Sequence, residues 1–65
     1  MERHEAEHLL GHWIEHNESH SRSFRERGKQ IQEISEQAAR DINEAADFMD
    51  KCTQMLERAL QDLRR

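Results

Sequence analysis

The sequence predicts an all-α fold, and three observations support this prediction. The chain of 65 residues has no proline and only two glycines, so few residues would interrupt a helix. Charged residues make up 37% of the chain, and most of them are glutamate, arginine or lysine, which favour helices. The apolar residues recur at alternating steps of three and four, which is the spacing of one helical face.

The first predicted helix spans residues 3–27. Glutamates lie near its start and arginines near its end, and these are the charges that a helix dipole favours at each position. Its inward positions follow a heptad pattern, in which every step is three or four residues. These positions are Ala6, Leu10, Trp13, Asn17, His20 and Phe24.

We place a turn at residues 28–29, where the phase of the heptad pattern changes. Gly28 is suited to this turn because glycine readily adopts the left-handed conformation that closes a helix. The alternative is that Gly28 is tolerated inside a helix, at a cost of about 1 kcal/mol. In that case the chain would form one long coiled coil instead of a hairpin.

The second predicted helix spans residues 30–64 and is longer than the first, so its end would overhang and expose apolar side chains. Such a patch usually marks an interface. A single domain of 65 residues also buries too small a fraction of its surface to be stable by itself. We therefore predict an antiparallel helical hairpin that dimerises into a four-helix bundle. The inward positions of this helix are Ile31, Ser35, Ala38, Ile42, Ala45, Met49, Cys52, Leu56, Ala59 and Leu63.

Charge and apolar content limit the possible partners. The net charge of −4 argues against nucleic-acid binding, which requires a basic surface. We expect no signal peptide and no membrane span, because no apolar run is long enough. We expect a cytoplasmic location, where the single cysteine, Cys52, stays reduced. The expected partner is a second copy of the chain, with a dimer favoured, and any other protein partner is not identified.

Five histidines are spaced by four residues in the first predicted helix: His4, His8, His12, His16 and His20. Side chains at positions i and i+4 lie one above the other on a helix and can share a ligand. Each step of four residues drifts about 40° around the helix axis, so the five cannot form one site. His16 and His20 come round to the apolar side of the helix, beside Trp13.

This pattern predicts a site for a divalent transition metal such as nickel, cobalt or zinc. With a turn at 28–29, facing residues would have numbers that sum to 57, which places Asp41 opposite His16 and Glu44 opposite Trp13. The predicted metal-binding residues are His12, His16, His20, Asp41 and Glu44.

Two other interpretations of the histidines remain open. Solvated histidines with a seam asparagine could simply fix the helix register, as polar seam residues do in coiled coils. Alternatively, the histidines could sense pH, because protonating all five would change the formal charge from −4 to +1, and histidine titrates near neutral pH.

Catalysis finds little support in the sequence. No glycine-rich loop is present to hold a phosphate group, and Cys52 has no evident basic partner to activate its thiol. Met49, Cys52 and Met55 share one helical face that would suit Cu(I). Methionine and free cysteine are also ordinary core residues, and we favour core packing for these three.

The run from His12 to Arg25 resembles short, uncharacterised prokaryotic helical proteins that carry an HWxxHNxxxH pattern. If those relatives handle nickel or cobalt, the resemblance implies that His12, His16 and His20 bind the metal here. We predict a non-enzymatic metal-binding protein that carries, stores or senses a divalent transition metal. The alternative is a structural or adaptor bundle without metal.

Overall fold

The computed structural model describes all 65 residues and consists of two α-helices packed as an antiparallel hairpin. Helix α1 spans Arg3–Ile31 and helix α2 spans Glu36–Arg64. The predicted all-α hairpin is therefore confirmed, and the alternative of one continuous helix is wrong. Neither helix is long and apolar enough to cross a membrane.

The turn lies at residues 32–35, so its predicted position at 28–29 was wrong. Ser35 has an extended backbone and its hydroxyl accepts a hydrogen bond from the amide of Ala38 at 3.1 Å. This is an N-cap, which starts a helix by satisfying an otherwise free amide. Glu36 adds a negative charge in the first turn of α2, where the helix dipole favours it. The residues that start α2 therefore position the turn more strongly than the glycine before it.

Gly28 is a buried helical residue with a negative φ, so it does not close α1. A Cβ atom at this position would lie 3.5 Å from Cγ2 of Ile42, which is ordinary contact. Gly28 therefore brings the α1 backbone close to α2. Because α1 continues through Gly28, both helices have 29 residues and the predicted overhang of the second helix does not occur.

Replacing Gly28 with alanine should raise the free energy of unfolding by about 0.5–1 kcal/mol, because glycine inside a helix costs backbone entropy and the new methyl group fits. Urea denaturation at fixed protein concentration measures this change. Gly11→Ala is the matched control, because Gly11 is also helical and a Cβ there has no atom within 4 Å. If G28A destabilises the protein while G11A stabilises it, the space between Gly28 and Ile42 is too small for a methyl group.

The contact between the helices is made by small side chains at heptad spacing. Ser21 and Gly28 are buried on α1, and Ala39, Ala46 and Thr53 are buried on α2. Ala46 is 0% exposed. Small residues at these positions allow the two backbones to approach closely, but they bury little apolar surface.

A polar network lies on one side of this contact. Ser21 donates a hydrogen bond to Asp50 at 2.6 Å, and Arg25 donates to Asp50 at 2.7 Å and to Asp47 at 2.9 Å. The hydrogen bond from Ser21, followed by that from Arg25, lowers the pKa of Asp50. The hydrogen bonds to Asp47 and then Asp50 raise the pKa of Arg25. The network therefore helps to define the register of the two helices.

The side of the hairpin opposite this polar network carries two heptad series of half-buried residues, one on each helix. We call this side the open face. The Asn17 amide lies 3.6 Å from the Cys52 sulfur on this side, so residues of both helices meet there. No large side chain of the hairpin is fully buried. The two series that form the open face are Leu10, Asn17, Phe24 and Ile31 on α1, and Ile42, Met49, Leu56 and Leu63 on α2.

Candidate metal centre

The histidine ladder lies entirely on α1, because α1 runs without interruption from Arg3 to Ile31. His20 follows Trp13 by seven residues and His16 follows Leu9 by seven, so each pair shares a helical stripe. His16 and His20 therefore lie along the edge of the open face. His4 and His8 lie away from it, because the ladder rotates around the axis.

His16 and His20 form the closest pair in the ladder. Their Nε2 atoms are 2.7 Å apart, and the imidazole rings stack with centroids 4.5 Å apart and planes 25° from parallel. Which nitrogen donates a hydrogen bond to the other depends on the tautomers of the two rings. Because the lone pair of an imidazole nitrogen lies in the plane of its ring, these nearly parallel rings must turn before both lone pairs meet at one ion.

The position between these nitrogens suits a metal ion after a small side-chain movement. Zinc binds imidazole nitrogen at about 2.0–2.1 Å, and tetrahedral geometry then separates two such nitrogens by about 3.3 Å. The observed separation of 2.7 Å would therefore need to open by a few tenths of an ångström. Both side chains are exposed, so rotation about their χ angles is enough.

An aromatic ring lies on each side of the pair. The ring of Phe24 lies 6.0 Å from His20, centroid to centroid. On the other side, the ring of His12 lies 6.2 Å from His16 and meets it edge-on at 66°. His12 therefore adjoins the pair, but its ring is not aligned with the other two. The three histidines predicted as ligands thus form a row with one close pair.

The two carboxylates predicted as ligands lie elsewhere, and this part of the predicted site is corrected. Facing residues have numbers that sum to 69 for Asn17 with Cys52 and to 71 for Ser21 with Asp50, not to 57. Relative to His16, this register displaces Asp41 by about 20 Å and Glu44 by about 15 Å along the helix axis. The misplaced turn caused the error. Nowhere does the chain bring together three histidine, cysteine, aspartate or glutamate side chains that could hold a metal ion.

The register instead brings Cys52 to the level of the histidine pair, through its contact with Asn17. The predicted pairing could not indicate this neighbour, because it depended on a turn at 28–29. With the turn at Ser35, the same arithmetic places residues 50–54 opposite residues 16–20. A serine N-cap followed by glutamate was the signal in the sequence that could have given this result.

A polar depression lies at the other end of the ladder. Gly11 has no side chain and leaves this space open, and Glu7 lies 3.9 Å from Arg64 and 3.7 Å from His4. The close histidine pair and the depression are therefore separate features of α1. The depression is lined by His4, Glu7, His8, Gly11, His12, Glu15 and Arg64.

The fold and the histidine pair define a small all-α hairpin protein with two adjacent, stacked imidazoles at the edge of the open face. The chain belongs to the DUF8180 family, described as a domain of unknown function, which matches residues 6–63. It is similar to a protein from Archaeoglobus fulgidus described as an uncharacterized protein, with 32% identity over 53 residues, covering 82% of this chain and 86% of the relative. No solved structure matches the chain.

Proposed function

We propose that the protein binds a divalent transition metal ion at the His16–His20 pair and acts as a non-enzymatic carrier, store or sensor of that metal. The observation that carries this proposal is the 2.7 Å separation of the two Nε2 atoms. Imidazole is a common ligand of nickel, cobalt and zinc. Side chains at positions i and i+4 of a helix are neighbours on one face and are close enough to share a ligand.

The surroundings of the pair support this proposal. The net charge of −4 favours the approach of a cation. Phe24 and His12 flank the pair. His12 is the third imidazole that could join the site.

The second part of the proposal is that the functional unit is a homodimer with a four-helix core. The accessible surface of the single chain is 5278 Å², whereas a folded monomer of 7.8 kDa is expected to expose about 4,400 Å². The difference of about 900 Å² accompanies the elongated shape of the hairpin, which measures 47 × 14 × 13 Å, and it is of the same order as the roughly 800 Å² that each partner buries in a standard interface. A dimer that covers the open face would remove this excess.

An arrangement of small residues also favours a second copy as the partner. One heptad stripe of α2 packs against α1 and consists of Ala39, Ala46 and Thr53. A neighbouring stripe has the same character, with Ala45 and Cys52 exposed and Ala38 and Ala59 half-buried. A helix of a second copy could approach this stripe as closely as α1 approaches the first. The alternative function is that of a structural or adaptor module, in which the dimer forms without metal.

Elemental analysis of tag-free protein, purified without chelator, tests the metal-binding proposal. Nickel, cobalt or zinc is expected in the wild-type protein and in the H4A/H8A variant at a ratio of one ion to either one or two chains, and none in the H16A/H20A variant. The two variants each remove one histidine pair with the same spacing, so they are matched. Equal metal content in both would contradict the assignment to His16 and His20.

Thermal unfolding with and without chelator distinguishes the two functions. A metal that binds only the folded protein raises its melting temperature by mass action, so the chelator should lower it. A dimer whose melting temperature is the same in chelator, zinc, nickel and cobalt would favour the assembly module.

A further inference from the structure

We infer that the His16–His20 pairs of two chains meet across the dimer axis and together hold one metal ion with four imidazole ligands. This inference rests on the proposed function, because it takes both the histidine pair and the dimer as given. It adds the source of the remaining ligands, the stoichiometry of one ion per two chains, and a coupling between metal binding and assembly.

The first step is a shortage of ligands within one chain. A structural zinc site is almost always tetrahedral and takes four protein ligands, but one chain brings only two imidazole nitrogens together. The carboxylates Asp41 and Glu44 lie too far along the helix to complete the set. A second copy is a source of two more imidazoles that adds no other protein.

The second step is the position of the pair along the hairpin. Helix α1 runs from residue 3 to residue 31, so its midpoint is residue 17. His16 and His20 lie within three residues of this midpoint, or about 5 Å along the axis. A two-fold axis that superimposes two open faces along their whole length places the middle of one hairpin against the middle of the other. When this axis is perpendicular to the helices, α1 packs against α1 of the second copy, and the two histidine pairs reach the axis together.

The third step is the side of the helix on which the pair lies. His20 shares a stripe with Trp13, which is 44% exposed and borders the open face. His20 also lies against Phe24, a residue of that face. The pair is thus on the side that the second copy would cover. His4 and His8, which have the same spacing, lie on the other side and nearer one end.

The fourth step is the effect of enclosure on the pair. Burial of unpaired imidazole nitrogens in an interface is unfavourable, because each polar group loses its contact with water. A metal ion shared by four nitrogens satisfies all of them. Metal binding should therefore strengthen dimerisation, and dimerisation should strengthen metal binding by the same factor.

Zinc titration combined with sedimentation equilibrium tests this inference on the wild-type protein. We expect 0.5 zinc ions per chain and a dimer dissociation constant at least about tenfold lower with zinc than with chelator. The H16A/H20A variant should still dimerise through the open face, but its dissociation constant should not respond to zinc. The H4A/H8A variant is the matched control and should behave as wild type.

Each other outcome overturns a different statement. One zinc per chain, bound with the same affinity by the monomer, overturns the shared site and leaves the proposed metal-binding function intact. An absence of zinc, nickel and cobalt uptake overturns both. Loss of zinc binding in C52S would overturn the four-imidazole ligand set, because Cys52 lies at the same level and would then be a ligand.

Discussion

Replacing Ala45 with glutamate is expected to convert the proposed dimer into monomers at concentrations where the wild-type chain would form it. Ala45 is exposed in the hairpin. It lies seven residues from both Ala38 and Cys52, on the stripe of small residues next to the one that packs against α1. The substitution therefore spares the contact between α1 and α2 but places an unpaired carboxylate in the proposed interface. We expect the dimer to weaken by at least about 100-fold, or roughly 3 kcal/mol, as measured by sedimentation equilibrium.

The control for A45E is Gln54→Glu, which adds the same charge on the other side of the hairpin. Gln54 follows Asp47 by seven residues, and Asp47 contacts Arg25 in the polar network, so Gln54 lies on that side. Q54E should leave the dimer dissociation constant nearly unchanged. If A45E and Q54E have equal effects, the open face is not the dimer interface.

Replacing Ala46 with leucine is expected to destabilise the fold itself. Ala46 is 0% exposed and lies in the stripe that receives α1, so a larger side chain must push the helices apart. Overpacking of this kind costs about 1–3 kcal/mol. Urea denaturation at one fixed protein concentration measures the change, because a dimer's stability depends on concentration.

The control for A46L is Gln54→Leu, which introduces the same side chain at an exposed position on the same helix. Surface substitutions of this kind usually change the free energy of unfolding by no more than about 0.5 kcal/mol. If A46L is as stable as Q54L, the helices do not pack as closely at Ala46 as the structure indicates.

The turn lies later in the chain than predicted because Gly28 suited two different roles. Gly28 is a good residue for ending a helix, but it is also the smallest residue for a close contact between helices. The structure uses the second property, since Gly28 packs against Ile42. Ser35 and Glu36 supply the start of α2. From sequence alone, both roles of Gly28 were open, and only the packing of the two helices decided between them.

The sequence predicted only part of the candidate site. The spacing of four within one helix was enough to bring His16 and His20 together, because it depends only on helical geometry. The choice of Asp41 and Glu44 depended on the register between two helices, and a shift in the turn from 28–29 to 32–35 moved every cross-helix pair. Contacts within a helix were therefore predicted correctly, whereas the contact with Cys52 was missed.

The sequence by itself determined that the chain is helical and that its apolar residues recur at helical spacing, because these properties depend on propensity and periodicity. It also determined the histidine pair on α1. Only the tertiary structure decided the register, the small residues Ser21, Ala39 and Ala46 as the contact between the helices, and the open face on one side. These features depend on how closely two backbones approach each other, and that distance is set by both helices together.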